Sequence, residues 1–151
     1  MSHVEPQDPD YAQRVRNSFA RQRIMETMGA TLLHVAPGAV DIALPFRDDL
    51  TQQHGFLHAG VVTAIVDSAC GYAALSLMPP GAGVLTIEFK LNLLAPASGA
   101  QMIARGRVTK QGRTISVCAG DVFAVQDGHE QLVATMLATV MIVRDRPSIT
   151  D

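Results

Sequence analysis

The sequence predicts an α+β fold: a strongly curved antiparallel sheet wrapped around one buried helix, with a further helix at the N-terminus packed outside. Two observations carry this. Between positions 61 and 77 the apolar residues Val61, Val62, Ala64, Ile65, Val66, Ala69, Cys70, Tyr72, Ala73, Ala74, Leu75 and Leu77 surround the helix axis almost completely. A helix that is apolar all round is a buried one. Beyond it the chain alternates apolar and polar residues over long stretches, interrupted at Gln111-Gly112 and Asp127-Gly128 as antiparallel hairpins would be. A sheet that has to cover one helix from several sides must curve.

Residues 11–28 read as an amphipathic helix, because Val15, Phe19, Ile24 and Met25 recur near helical spacing among Arg14, Arg16, Arg21 and Arg23, and Gly29 supplies a stop. Residues 31–35 and 40–44 read as two short strands across Pro37-Gly38, with Val40, Ile42 and Leu44 alternating with Asp41 and Ala43. Arg47 to His54 is a polar loop. Gly55-Phe56-Leu57-His58-Ala59-Gly60 then leads into the buried helix, which runs to about Leu77 and is closed by Pro79-Pro80-Gly81. Four strands follow, at 84–94, 101–110, 114–126 and 131–143. In the first, Leu85, Ile87, Phe89, Leu91 and Leu93 alternate with Thr86, Glu88, Lys90 and Asn92. One domain is expected over residues 1–151, with its core at about 20–143 and both tails loose.

Composition narrows the function. With 48% hydrophobic and 17% charged residues the chain is no disordered tail, and a formal charge of −2 gives no electrostatic case for nucleic acid. Cys70 and Cys118 lie far apart in apolar stretches, so no structural disulfide is expected. The opening MSHVEPQDPD is polar, which argues against a signal peptide, and Asp67, Ser68 and Gly71 interrupt the longest apolar stretch, which argues against a membrane span. A cytoplasmic setting follows as the expectation. The close pair His54 and His58 has no third ligand nearby, so no metal is expected.

Asp67 is the residue that asks for an explanation, since a carboxylate inside an apolar helix costs several kcal/mol unless it is paired, hydrogen-bonded or protonated. It either faces a solvent-filled groove or serves as a general base or nucleophile beside a substrate. Upstream, Gly55, Ala59 and Gly60 are small residues at the helix start, where unpaired N–H groups and the helix dipole suit developing negative charge; tight packing alone would also explain them. Gln52 and Gln53 could each donate an amide N–H to a carbonyl oxygen, and His58 could act as a base or orient the loop.

Ala59 and Asp67 are eight positions apart on one helix, roughly 12 Å along its axis. A nucleophile and an oxyanion donor must both lie about 3 Å from one reacting group. One copy therefore cannot supply both. Two copies with antiparallel central helices would bring the Ala59 end of one to Asp67 of the other, which predicts an obligate homodimer with two shared sites. A long exposed edge strand points the same way.

The segment from Gln52 to Gly60, followed by Asp67 and by residues 84–96, resembles the hotdog-fold acyl-CoA thioesterases of the phenylacetate-pathway (PaaI-like) family. The likeness extends over roughly residues 20–143. The chain reads His-Ala-Gly where the family commonly reads His-Gly-Gly, which keeps the backbone N–H. The resemblance implies the hotdog fold and hydrolysis of an acyl-CoA to a free acid and coenzyme A without metal or organic cofactor, in dimers that pair into tetramers. Residue by residue it implies Gln52 near the thioester carbonyl, His58 in the turn and the Ala59 N–H as oxyanion donor. It further implies Asp67 as nucleophile or as base for water, and Thr86 as the hydroxyl that helps place the water. Gln53, next to Gln52, leaves the amide donor open by one residue. For coenzyme A the basic candidates are Lys90, Arg105, Arg107, Lys110 and Arg113, any of which could equally be a solvated strand-face charge.

Two other readings compete. A non-catalytic acyl-CoA binding or sensing module would keep the groove without needing Asp67. A hotdog acyl-thioester dehydratase or hydratase would need a histidine and an acid within reach of the substrate's α- and β-carbons, which His58 and Asp67 could imitate across an interface. A Ser-His-Asp hydrolase lacks its GxSxG elbow here.

Overall fold

The computed structural model describes residues 4–151. In chain order they form α1 (Tyr11–Arg21), α2 (Arg23–Met28), β1 (Thr31–Ala36), β2 (Ala39–Pro45), a short 3-10 turn (Asp48–Leu50), α3 (Ala59–Leu75), β3 (Gly83–Leu93), β4 (Gln101–Lys110), β5 (Ile115–Gln126) and β6 (His129–Val143). The six strands make one antiparallel sheet in the order β1-β2-β4-β5-β6-β3. The long helix α3 touches β2, β3, β4, β5 and β6, so the expected architecture of a sheet curved around a central helix is present.

Two glycines set how close that helix comes. Gly106 of β4 and Gly120 of β5 sit directly opposite each other in the sheet. A Cβ on Gly106 would lie 2.3 Å from the Ala69 carbonyl carbon, and one on Gly120 would lie 2.6 Å from a Val66 methyl. Without side chains they leave a notch into which the middle of α3 sinks, and Ile65, Val66, Ala69 and Ala73 are fully buried there. Close packing at this depth leaves no room for even one added methyl group. Cys70 and Cys118 are buried free thiols beside the notch. Burial pushes both above the ordinary thiol range, Cys118 to about 12, which makes them poor nucleophiles.

The structure corrects the N-terminal helix. Residues 11–28 form two helices, because Gln22 leaves the helical conformation (φ −79, ψ 96) and its side-chain amide donates to the Ser68 hydroxyl at 3.0 Å. The break lets α1 bury Val15 and stack Phe19 edge-on against Tyr72, while α2 turns to bury Met25 and Met28. The core thus begins at Val15, upstream of the expected boundary.

The first three residues of the N-terminal tail lie outside the described residues; the tail residues that the structure describes make contacts with the body of the fold. On the N-terminal side the Gln7 amide donates to the Leu77 carbonyl, and buried Asp8 pairs with Arg14 at 3.1 Å. Arg14 in turn donates to the carbonyls of Leu75, Met78 and Pro79, at and just beyond the end of α3, where its positive charge suits the helix dipole. At the other end Ile149 lies over Gly83, and the Asp151 carboxylate accepts from the Ser18 hydroxyl (2.6 Å) and the Val84 N–H (3.3 Å). These are long-range contacts between side chains and backbone, which no local pattern announces. No helix among the described residues is long and apolar enough to cross a membrane.

Candidate active site

Asp67 sits where α3 faces β3. Most of α3 is buried, but the stripe Gly60–Ala64–Asp67, which recurs at helical spacing, stays partly open. Beside it runs β3, an edge strand of 11 residues that among the described residues pairs only with β6. The register of that pairing shifts between Thr86 and Glu88, so Ile87 is an inserted residue. Ahead of the bulge Val84 and Thr86 lie opposite the buried residues Ile142 and Val140 of β6; after it Phe89 and Leu91 lie opposite the buried Ala138 and Met136. Both sets therefore face α3. Strict alternation would have put Thr86 on the other side from Phe89 and Leu91. The bulge instead aims the Thr86 hydroxyl at the helix, where it donates to Asp67 Oδ1 at 2.8 Å.

That pair lines a cavity of about 460 Å³. Around it stand the hydroxyls of Ser18, Ser68 and Tyr72, the Gln22 amide, the Arg21 guanidinium and the Asp151 carboxylate. Burial pushes the Asp67 carboxyl above the ordinary aspartate range, and the Thr86 hydrogen bond, which favours the carboxylate, pulls it part of the way back. An acid held in this way is a stronger base than a solvated one and keeps a hydroxyl beside it to orient water.

The second group of residues gathers at the other end of α3. His58 is the N-cap, extended at φ −60 and ψ 140, and its ring Nδ1 accepts from the Gly60 N–H at 2.8 Å. The ring thereby acts as a cap and carries its proton on Nε2. A Cβ on Gly60 would lie 3.0 Å from Nδ1, so a side chain there would crowd the ring out of its position. The Gly60 N–H, one of the expected oxyanion donors, is thus already engaged. The Ala59 N–H has no acceptor among the described residues. It points from the first turn of a helix, where the dipole adds to its pull on negative charge.

The loop before it is closed by a bridge between Thr51 and Leu57 and turned at Gly55, whose φ of +84 suits glycine. Within it Gln52 accepts from the His54 N–H through its side-chain oxygen, which leaves its NH2 group free to donate. The Gln53 amide instead lies 3.4 Å from His54 Nε2. Gln52 is therefore the better-presented donor of the two. Gln52, His58 and Ala59 line a cavity of about 540 Å³ whose other walls include Phe56, Leu57, Val62, Leu93, Leu94 and Val133.

The structure brings Asp67 to Thr86, and Gln52 to His58 and Ala59, but it does not bring the two groups together in one chain. No described residue lines both cavities. The basic candidates also divide. Arg105 lies above the Phe123 ring at 4.6 Å and donates twice to Glu130, and Arg107 donates to Asp41 at 2.7 Å. Both alternate with the buried residues Met102, Ala104 and Gly106, so they face away from α3 with their charges already matched. Lys90, Lys110 and Arg113 are exposed. Sequence reasoning missed Gln22, Ser68 and Asp151 at the Asp67 cavity; a glutamine inside an amphipathic pattern and a serine beside the buried aspartate were the only signals. Among the described residues no three His, Cys, Asp or Glu side chains gather as metal ligands.

Comparison with known proteins agrees with this architecture. The family model of the thioesterase superfamily matches residues 54–130, a span that holds the Ala59 turn, Asp67 and Thr86. A solved thioesterase family protein from Silicibacter pomeroyi is 52% identical, with a TM-score of 0.88 over 89% of this chain and 99% of its own. Human acyl-coenzyme A thioesterase 13 is 28% identical over 92 residues, 60% of this chain and 65% of its own. The solved PaaI protein of E. coli, from the phenylacetic acid degradation operon, shares the fold at a TM-score of 0.80 over 91% of this chain and 96% of its own, with 16% identity. The chain belongs to the thioesterase superfamily, with the hotdog fold expected of it, and is a thioester hydrolase.

Proposed function

We propose that the protein hydrolyses an acyl-CoA thioester to the free acid and coenzyme A at two equivalent sites, each shared between two copies of the chain. In one such site the Ala59 N–H and the Gln52 side-chain amide of one protomer polarise the thioester carbonyl. Asp67 and Thr86 come from the other protomer. As a base, Asp67 takes a proton from a water held by Thr86; the water oxygen bonds to the carbonyl carbon, the carbon–sulfur bond breaks, and the proton passes to the departing thiolate. As a nucleophile, Asp67 attacks the carbonyl carbon itself, and water then cleaves the resulting anhydride. Either route needs Asp67 ionised and needs no metal or organic cofactor.

One observation carries the reading: the carboxylate and the N–H that has no acceptor among the described residues lie on the same helix, α3, but in separate cavities. Supporting it, β3 offers an unpaired edge, and Ile87, Phe89 and Leu93 along it are about half exposed, a long apolar edge that a second copy would cover. Such a homodimer, further paired into a tetramer, suits the cytoplasm, where the two buried thiols stay reduced. With Nδ1 of His58 accepting from the Gly60 N–H and the proton on Nε2, the ring does not present the free base that the dehydratase alternative wants.

Free-thiol release from a panel of acyl-CoAs, aromatic through long-chain, tests the activity. Wild type should turn over at least one member, and Asp67→Asn should lose on the order of 10²–10⁴ in kcat while keeping its fold. A folded wild type that binds acyl-CoA yet hydrolyses none of the panel would make the protein a binding module.

A further inference from the structure

The cavity that holds Asp67 has a second carboxylate on its wall, and the tail supplies it. Asp151 accepts from the Ser18 hydroxyl at 2.6 Å and from the Val84 N–H at 3.3 Å, and the Arg21 guanidinium stands 3.8 Å from the same carboxylate. All three donors belong to elements that are held independently of the tail. Ser18 and Arg21 lie on α1, which Val15 and the Phe19–Tyr72 contact fix against the core, and Val84 pairs with Ile142 of β6. Ser18 is buried, and Arg21 is the one cation among the described residues that line the cavity. A buried hydroxyl, a backbone N–H and a guanidinium that converge on one point make a receptor for a carboxylate.

The occupant is held less firmly than the receptor. The Asp151 side chain keeps 23% of its surface exposed. The backbone around it makes long hydrogen bonds, from the Asp151 N–H to the Ala82 carbonyl and from Arg21 to the Thr150 carbonyl, each 3.4 Å. The tail has a separate anchor two residues earlier, where Ile149 packs over Gly83 so closely that a Cβ there would lie 2.7 Å from the Ile149 carbonyl oxygen. Asp151 is therefore free to leave the receptor while the tail stays beside it. Its carboxylate acts as a tethered ligand, present at an effective concentration of about millimolar order or above.

We propose that Ser18, Arg21 and the Val84 N–H form a subsite for the carboxylate of a small organic acid, and that Asp151 is its built-in competitor. Two sources share that chemistry: the acid released by hydrolysis, and the far end of an acyl group that carries a second carboxylate. The inference rests on the thioesterase reading above for where the acid arises. A thioester carbonyl is neutral and gains little from such a receptor, whereas the acid that replaces it is an anion formed in a cavity already holding the Asp67 carboxylate. Like charges repel, so the acid moves toward Arg21. Left open, the receptor would retain it; the tethered Asp151 carboxylate displaces it toward solvent and clears the cavity.

The test removes the competitor and titrates the full chain with acids from acetate to hexanoate, each beside its uncharged amide, reading weak binding by NMR. Asp151→Ala should lower Kd for the acids at least about tenfold, because an intramolecular rival is gone, and leave the amides where they were. Adding Ser18→Ala to that variant should weaken acid binding again by about tenfold. Circular dichroism confirms that both variants keep the fold; the receptor lies on α1 and β3, so the result is readable even if the tail lifts away. The subsite is overturned if Asp151→Ala gains nothing for the acids, if the amides gain as much, or if Ser18→Ala leaves the gain intact. Kinetics separate the sources. Stronger inhibition of Asp151→Ala by the released acid points to the product, while a KM lowered more for a thioester ending in a second carboxylate than for its neutral counterpart points to the acyl end. Failure of the thioesterase reading looks different: wild type then releases no thiol from any thioester, while the acids still bind Asp151→Ala more tightly than wild type.

Discussion

The two cavities along α3 differ in what lines them. Around Asp67 stand four hydroxyls, an amide and charged groups, and the Gln22 side-chain oxygen there is buried without a partner among the described residues. Around Ala59 the walls are mainly hydrocarbon, from Phe56, Leu57, Val62, Leu93 and Val133. A polar, roomy cavity holds water and sustains a carboxylate. An apolar one strengthens a single N–H dipole, because little competes with it for the oxyanion. In the proposed mechanism the half that activates water is separate from the half that polarises a carbonyl, and each half sits in the dielectric that its task needs. Neither half is a complete site.

The largest effect that would sharpen this contrast comes from Ala59. It is the first residue of α3, a position where proline is tolerated because its missing N–H is an orphan anyway, and His58 before it is already extended. Ala59→Pro therefore deletes the donor and leaves the helix in place. We expect kcat to fall by about 10²–10³ with little change in thermal stability; full activity in the folded variant would assign the carbonyl to some other donor.

A smaller effect is expected on the polar side. Thr86→Val removes a hydrogen bond that favours the Asp67 carboxylate, so the carboxyl rises further above the ordinary aspartate range. Because the proposed mechanism needs the ionised form, the rate should climb as pH passes upward through that value. The acid limb of the pH–rate profile should move to higher pH in the variant, with kcat on the plateau reduced by about tenfold for the lost placement of water. An acid limb that stays put would show that Thr86 does not act on Asp67.

Much of this was legible in the sequence. The apolar circumference of α3 announced a buried helix, the alternation after it announced the sheet, and Asp67 stood out because a charge in such a helix needs a reason. What stayed hidden depends on pairing between distant segments. The bulge at Ile87 breaks a period of two without altering composition, so the orientation of Thr86 appears only once β3 is laid on β6. Arg105 and Arg107 read as available cations until β2 brings Asp41, and β6 Glu130, beside them. The helix break at Gln22 follows from Ser68, a residue 46 positions away. Gly106 and Gly120 look like weak points in two strands and are in fact the seat of the central helix.

The central claim is that one protomer lends the carboxylate and the other the carbonyl's donors, and mixing two dead variants tests it most directly. Asp67→Asn and Gln52→Ala, each inactive alone, are combined as unfolded chains in equal amounts and refolded together. Each heterodimer then has one site bearing both lesions and one site bearing neither. Random pairing should restore about a quarter of wild-type activity. If every site lies within a single chain, no pairing of the two variants creates an intact one, and a mixture no more active than its parts would contradict the account.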